Sequence, residues 1–192
     1  MEKSEEKRQE NSSRFDAVSK EQFVKFISKN KEDNFAKTFV AKCDMLDKWD
    51  EVVGLWEGDD LAGAILTTIS KRKPYTANLQ LLHTFHKHRK KGVAKLLCQY
   101  SLIDVYLRKG ADYMRVSSEI PAIPFYKKLG IQFVGKQKSG CLLAMFKLNA
   151  HRYEDIDYSV DSVIYKAATF KGKGGCVELF KEYKGLENFE EI

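Results

Sequence analysis

The stretch ANLQLLHTFHKHRKKGVAKLL, Ala77 to Leu97, decides how this chain folds. Up to Phe85 it carries Leu79, Leu81, Leu82, Thr84 and Phe85, the composition of a buried strand. From Val93 onward the apolar residues Val93, Leu96, Leu97, Tyr100 and Ile103 recur at helical spacing. A strand therefore feeds a helix through a basic turn. The first N–H groups of a helix have no internal partners and its dipole places partial positive charge there, so the turn suits a phosphate-bearing ligand. Gly92 lets such a ligand approach the backbone closely.

Upstream, Arg14 to Val18 reads as a short strand, and Ser19 with Gln22 has the spacing of a capping box that opens a helix. Phe23, Phe26 and Ile27 form the apolar stripe of that helix. A second helix from about Asn34 puts Phe35, Phe39, Cys43 and Leu46 on one face, read as core. Glu51 to Trp56 and Leu61 to Ser70 flank Gly58-Asp59-Asp60 as a hairpin, with Pro74 ending its second strand. A further connection through Lys71, Arg72 and Lys73 leads into the central strand.

Downstream, Gly110 suits the end of the helix and Asp112 to Val116 reads as the next strand, so strand, helix and strand form a crossover with a parallel pair. Pro121 to Lys128 reads as a short helix closed by Gly130. Ile131 to Val134 and Cys141 to Leu148 read as strands around a polar turn.

At 192 residues and 43% hydrophobic, the chain fits one domain with a sizeable core. That domain is placed at 14–149, after a polar start, 1–13, read as disordered or frayed, and before an extension, 150–192. The extension covers the sheet, builds a homodimer interface or helps to bind substrate, a structural role being favoured. Its Lys-Gly-Lys-Gly-Gly run lacks the spacing of a phosphate-binding P-loop. Cys43, Cys98, Cys141 and Cys176 are widely spaced, which suggests neither a metal site nor a disulfide framework. No apolar run approaches the roughly 20 residues needed to span a bilayer, and a soluble, cytoplasmic protein with no membrane partner is expected. The net charge of +6 is uneven: residues 71–148 hold 16 Lys/Arg against 3 Asp/Glu, or +13, leaving −7 elsewhere. An anionic ligand or partner fits that half of the chain.

These residues carry a family likeness. Arg89-x-x-Gly92-x-Ala94 between strand and helix resembles the acyl-CoA pyrophosphate loop of the GNAT N-acetyltransferases. Glu119-Ile-Pro-Ala122-Ile-Pro-Phe125-Tyr126-Lys-Lys-Leu129-Gly130-Ile-Gln-Phe133 resembles their second block. The resemblance covers about Arg14 to Leu148 and implies an α/β fold with a central twisted mixed sheet, flanked by helices and splayed where the cosubstrate enters. It implies an N-acetyltransferase that moves the acetyl group of acetyl-CoA directly to an amine, with no metal. Main-chain N–H groups at Lys90, Lys91, Gly92, Val93 and Ala94 would hold the pyrophosphate, and Arg89 would add long-range attraction. Backbone groups around Leu82 and Thr84 would pair with the pantetheine.

Tyr126 resembles the family's general acid, a phenol that keeps its proton near neutrality. Where the family often carries a base on the central strand, this chain has Asn78 and Gln80, which take no proton. Glu119, at the second block's Asn position, is the alternative base. His83 is near, but strict alternation points it to the opposite face unless a bulge changes the parity. Two other functions stay open: a GNAT-fold module that binds nucleic acid or an acidic protein with weak or no catalysis, and an acyltransferase acting on a nucleic-acid base. The acceptor, whether small molecule, protein or nucleic acid, leaves no signature in the sequence.

Overall fold

The computed structural model describes residues 13–30, 34–73, 75–129, 131, 133, 135–137 and 139–148. The sequence readings of segment 1–12, of Pro74 and Gly130 as stops, and of the extension 150–192 with Cys176 lie outside them. In chain order come β1 (Ser13–Ala17), α1 (Lys20–Asn30), α2 (Asn34–Leu46), β2 (Val52–Glu57), β3 (Asp60–Ile69), β4 (Thr76–Thr84), α3 (Val93–Leu107), β5 (Tyr113–Ser118), α4 (Ile123–Lys128), β6 (Gly135–Lys136) and β7 (Leu142–Lys147).

Among the described residues the strands form one seven-stranded sheet in the order β1-β2-β3-β4-β5-β7-β6. Neighbours are antiparallel except β4 and β5, which run parallel because α3 carries the chain back across the sheet between them. The expected capping box is formed: Ser19 N–H donates to Gln22 Oε1 at 2.8 Å, and Gln22 N–H donates to Ser19 Oγ at 3.3 Å. The Gly58 turn joins β2 to β3 with φ of 61°.

Two apolar layers sandwich the sheet. Phe23 and Phe26 of α1 and Phe39 and Cys43 of α2 pack with Val52, Trp56, Leu61, Ala64, Leu66, Leu81 and Phe85. Val93, Leu97, Cys98 and Val105 of α3, with Ile123 and Tyr126 of α4, pack with Leu55, Ala62, Ile65, Ala77, Leu79, Met114, Val116 and Ala144. β3 is covered on both faces, which is why Leu61 to Thr67 is buried without a break except in side-chain size. Gly63 supplies that exception: a Cβ there would lie 2.6 Å from the His83 carbonyl oxygen and 2.9 Å from Val93 Cγ1. The start of α3 can sit this close to the sheet only over glycine.

Three sequence readings are corrected. Of the strand placed at Ile131 to Val134, the described residues Ile131 and Phe133 are not in a strand, and β6 is Gly135–Lys136, where Leu143 and Leu142 of β7 offer partners. Phe35 is 41% exposed and does not join the core stripe of Phe39 and Cys43. β4 does not alternate throughout. Leu66 pairs with Leu81 while Thr67 pairs with Leu79, so Gln80 is an extra residue, a bulge. Leu79 lies under α3 and Leu81 on the face of α1 and α2.

Candidate active site

The bulge marks where the sheet opens. β4 and β5 pair from Thr76↔Tyr113 to Leu79↔Val116, and there their pairing stops. Beyond it, Leu81 to Thr84 remain paired with β3, and Ser117 and Ser118 with β7. A cavity of about 910 Å³ fills the gap. Leu82, His83 and Thr84 form one wall, the start of α3 from Gly92 to Lys95 forms the floor with Arg89 and Lys90, and Pro121, Ala122, Phe125, Lys128 and Leu129 form the other wall. Phe35 of α2 closes one side, its ring stacked on the His83 imidazole at 6.0 Å.

The floor suits an anion on three counts. No side chain caps α3, so its first N–H groups are left for a ligand. Lys90 and Gly92 both have left-handed φ, 65° and 86°, which turns the peptide groups of the loop into a concave run of amides. Four cations, Arg89, Lys90, Lys95 and Lys128, line the cavity, and no carboxylate does so among the described residues.

The loop's approach is fastened from the β2–β3 hairpin. A 3-10 turn, His86–His88, puts His88 Nε2 2.8 Å from Asp60 Oδ2 and His88 Nδ1 3.2 Å from Glu57 Oε2. Lys87 Nζ meets the same Asp60 oxygen at 2.5 Å. Burial pushes the Asp60 carboxyl up, but the hydrogen bonds from Lys87 and His88 outweigh it and hold the group below its ordinary value. Arg89 Nε then donates to the Thr84 carbonyl at 3.2 Å, tying the loop back to the strand. In sequence Asp60 reads as a turn residue only, and Glu57 is not singled out. Nothing local in the sequence pairs these acids with the run His86-Lys87-His88.

Of the residues singled out in sequence, Leu82, Thr84, Arg89, Lys90, Gly92, Val93 and Ala94 meet around the one cavity. Lys91 is exposed and off its lining. Tyr126 stands behind the wall, 6% exposed, its ring 5.0 Å from Phe125 and 6.2 Å from Phe133. Burial, with a small addition from Cys98, raises its phenol well above the ordinary value, so the proton stays on. Glu119 is exposed just before the 3-10 turn Ile120–Ala122 and is not on the lining, though Pro121 and Ala122 are. Asn78 donates to the Thr76 carbonyl at 3.3 Å and Gln80 to Thr68 Oγ1 at 3.0 Å, both away from the lining.

His83 is the residue the bulge relocates. Thr67 Oγ1 meets Ser101 Oγ of α3 at 2.6 Å, so its neighbour Thr68, and Gln80 bonded to it, lie on the opposite face of the sheet. His83 shares that face with Gln80, against Phe23 at 5.9 Å and Phe85 at 5.0 Å, and it also reaches the cavity.

A largely antiparallel sheet that parts beside its single parallel pair, over the bare N-terminus of a crossover helix, is the fold of an acyltransferase. The acetyltransferase (GNAT) domain model matches residues 4–147, and the chain belongs to that family. Solved structures agree on the fold. The PaiA N-acetyltransferase of Thermoplasma acidophilum, in complex with coenzyme A, superposes with a TM-score of 0.56 at 15% identity, covering 71% of this chain and 99% of that one. A GNAT-family protein of Desulfovibrio desulfuricans gives 0.54 at 16%, covering 72% and 99%. The ribosomal-protein-S18-alanine N-acetyltransferase of Escherichia coli gives 0.51 at 13%, covering 76% and 99%. No curated protein matches the sequence. Among the described residues no helix is long and apolar enough to cross a membrane.

Proposed function

We propose that the cavity binds acetyl-CoA and that the protein transfers its acetyl group directly to an amine. The observation that carries this reading is the cradle itself: uncapped α3 amides, a loop with two left-handed residues and four cations, beside a strand edge left open by the parting of β4 and β5. The amides of Lys90 to Ala94 suit a pyrophosphate, each such interaction worth roughly 0.3–1 kcal/mol when exposed. Arg89 on the floor and Lys128 on the wall suit the remaining phosphate charge. The backbone of Leu82 and Thr84 offers an extended chain the hydrogen bonds that β5 takes further up the strand.

Bound there, acetyl-CoA supplies an activated acyl carbon. The chain's part is to hold it beside an amine, which lowers the entropic share of the barrier, and to offer a β4 backbone N–H to the oxygen where charge develops. Tyr126 is the proposed proton donor to the departing sulfur; burial keeps the phenol in its protonated form, the form a donor needs. Glu119 is a proposed base that would have to swing in from the surface.

Titration calorimetry tests the cosubstrate: acetyl-CoA and CoA should both bind, and absence of binding up to millimolar concentration overturns the reading. Tyr126→Phe should lower kcat about tenfold or more with CoA affinity kept; an unchanged kcat removes the acid. A mass-shift screen with amines, peptides, nucleotides and nucleic acid identifies the acceptor class.

A further inference from the structure

We propose that the tip between β3 and β4 is a docking site for single-stranded nucleic acid, separate from the acyl cavity. The tip carries Lys71, Arg72 and Lys73 in succession, each exposed, and the half-buried Tyr75 follows. Among the described residues these three cations make no ion pair, whereas Lys20, Lys48, Lys87 and Lys109 are each held by a carboxylate. Their charge is therefore left for a partner in solution. An acid does reach the tip, Asp112, but its Oδ2 accepts the Tyr75 N–H at 2.9 Å. The tip also opens the part of the chain, residues 71–148, whose net charge is +13, so long-range attraction favours an anionic partner.

The tip is held in shape by its own hydrogen bonds. Ser70 N–H donates to the Thr76 carbonyl at 2.9 Å, Thr76 N–H donates to Ser70 Oγ at 2.9 Å, and Ser70 Oγ donates to the Arg72 carbonyl at 3.0 Å. Asp112 N–H donates to the Tyr75 carbonyl at 2.8 Å, pinning the return of the tip to the approach of β5. Part of the ordering that docking would require is thus complete in the folded chain. The Lys73 ammonium lies 5.8 Å from the centre of the Tyr75 ring, which sets a cation and an aromatic ring side by side. That pairing selects among polyanions. A phosphate chain alone needs only the cations, and a membrane surface asks for apolar side chains to insert. Among the described residues the exposed large apolar side chains are Val24, Phe35, Met45 and Ile120, none of them on the tip. A ring beside the cations suits a strand whose bases are unstacked and whose phosphates run past them. The two anion sites are far apart: β4 runs nine residues from Thr76 at the tip to Thr84 at the cavity, about 26 Å at roughly 3.3 Å per residue. A nucleic acid on the tip leaves the cavity open to its own ligand.

The test uses the intact chain and a fluorescein-labelled oligouridine RNA of about 15 nucleotides, followed by anisotropy over a range of salt concentrations. Wild type should bind, with affinity falling as salt rises; no binding at about 0.1 mM protein in low salt overturns the proposal. Lys71→Gln, Arg72→Gln and Lys73→Gln together should weaken binding about thirtyfold. They should also flatten the slope of log affinity against log salt by about 2, three cations at roughly 0.7 each. The control set Lys25→Gln, Lys29→Gln and Lys37→Gln removes the same charge from exposed positions of α1 and α2 and should change affinity by less than about threefold. Equal losses in the two sets mean a general field without a site, and overturn the proposal. Tyr75→Leu should weaken RNA binding about tenfold with the salt slope and heparin binding kept, while Tyr75→Phe, which keeps the ring, should bind as wild type does. An RNA affinity unchanged by Tyr75→Leu assigns the tip to polyanions at large and overturns the nucleic-acid reading. Capture by phosphatidylserine vesicles that depends on the three cations as strongly as RNA binding does assigns it to a lipid surface and overturns that reading equally. Saturating CoA should not displace the RNA; displacement would put the RNA in the cavity and remove the tip as its site.

Discussion

The two halves of β4 share a strand and differ in almost everything else. Ala77 to Leu79 is paired on both edges, with β3 and β5, and Ala77 and Leu79 are buried beneath α3. Past the Gln80 bulge, the strand keeps β3 alone, and Leu82, His83 and Thr84 become the wall of a cavity. In the first half, backbone groups are satisfied by a partner strand; in the second, the same groups are left for a ligand laid along the edge. Stability and recognition are thus separated within nine residues, and substitutions on either side of the bulge should report on different properties.

The largest expected effect lies in the first half. Leu79→Ala removes a side chain 8% exposed from the core under α3, and urea unfolding should show a loss of about 3 kcal/mol with CoA affinity per folded molecule unchanged. A tenfold affinity loss would break the separation. Gly63→Ala is next and should violate it by design, because its Cβ would press on the His83 carbonyl and on Val93, joining wall to floor. About 2 kcal/mol of stability should go, accompanied by weaker CoA binding. Gly92→Val meets no neighbour within 4 Å of its Cβ but must adopt φ of 86°, so its effect is on loop shape. CoA affinity should fall about tenfold, equivalent to ~1.4 kcal/mol, and an unchanged dissociation constant would remove the loop from the site.

Asp60→Asn is the mildest, an expected threefold loss of CoA affinity as Lys87 and His88 loosen. It also has a pH signature. The folded Asp60 carboxyl lies below its ordinary value of 3.8, so its contribution to stability is complete above that value and is lost as pH falls through it toward the folded value. Wild type should therefore lose stability more steeply than Asp60→Asn below about pH 4, read as Tm against pH.

Much of the fold was legible because its signals are local. Ser19 and Gln22 cap α1 as their spacing implies, Gly58 turns the hairpin, and the change of period after Phe85 marks the passage from β4 into α3. The phosphate cradle was legible for the same reason, since Arg89 to Ala94 are consecutive. What escaped depends on distant partners. Leu-Gln-Leu-Leu reads as one alternating strand with or without a bulge, and only the register against Leu66 and Thr67 fixes where the extra residue falls. Phe35 keeps the helical spacing of Phe39 and Cys43, yet the buried stripe of α2 is Ala36, Phe39 and Cys43, and Phe35 meets the cavity instead. The fastening of His88 by Asp60 spans 28 residues and has no local cue. Ile131 and Phe133 have strong strand propensity, but β6 forms where β7 offers an edge.

The short parallel seam has a mechanical consequence. Four residue pairs, Thr76↔Tyr113 to Leu79↔Val116, join the β1–β4 half of the sheet to the β5–β7 half. The five residues beyond the seam, Gln80 to Thr84, form an arm about 17 Å long at roughly 3.3 Å per residue. A rotation of about 5° at the seam therefore moves the tip of the arm by about 1.5 Å, close to a carbon's van der Waals radius. The gape of the cavity is geared to the angle at this seam, so four backbone pairs that lie off the cavity lining set the width of the jaws.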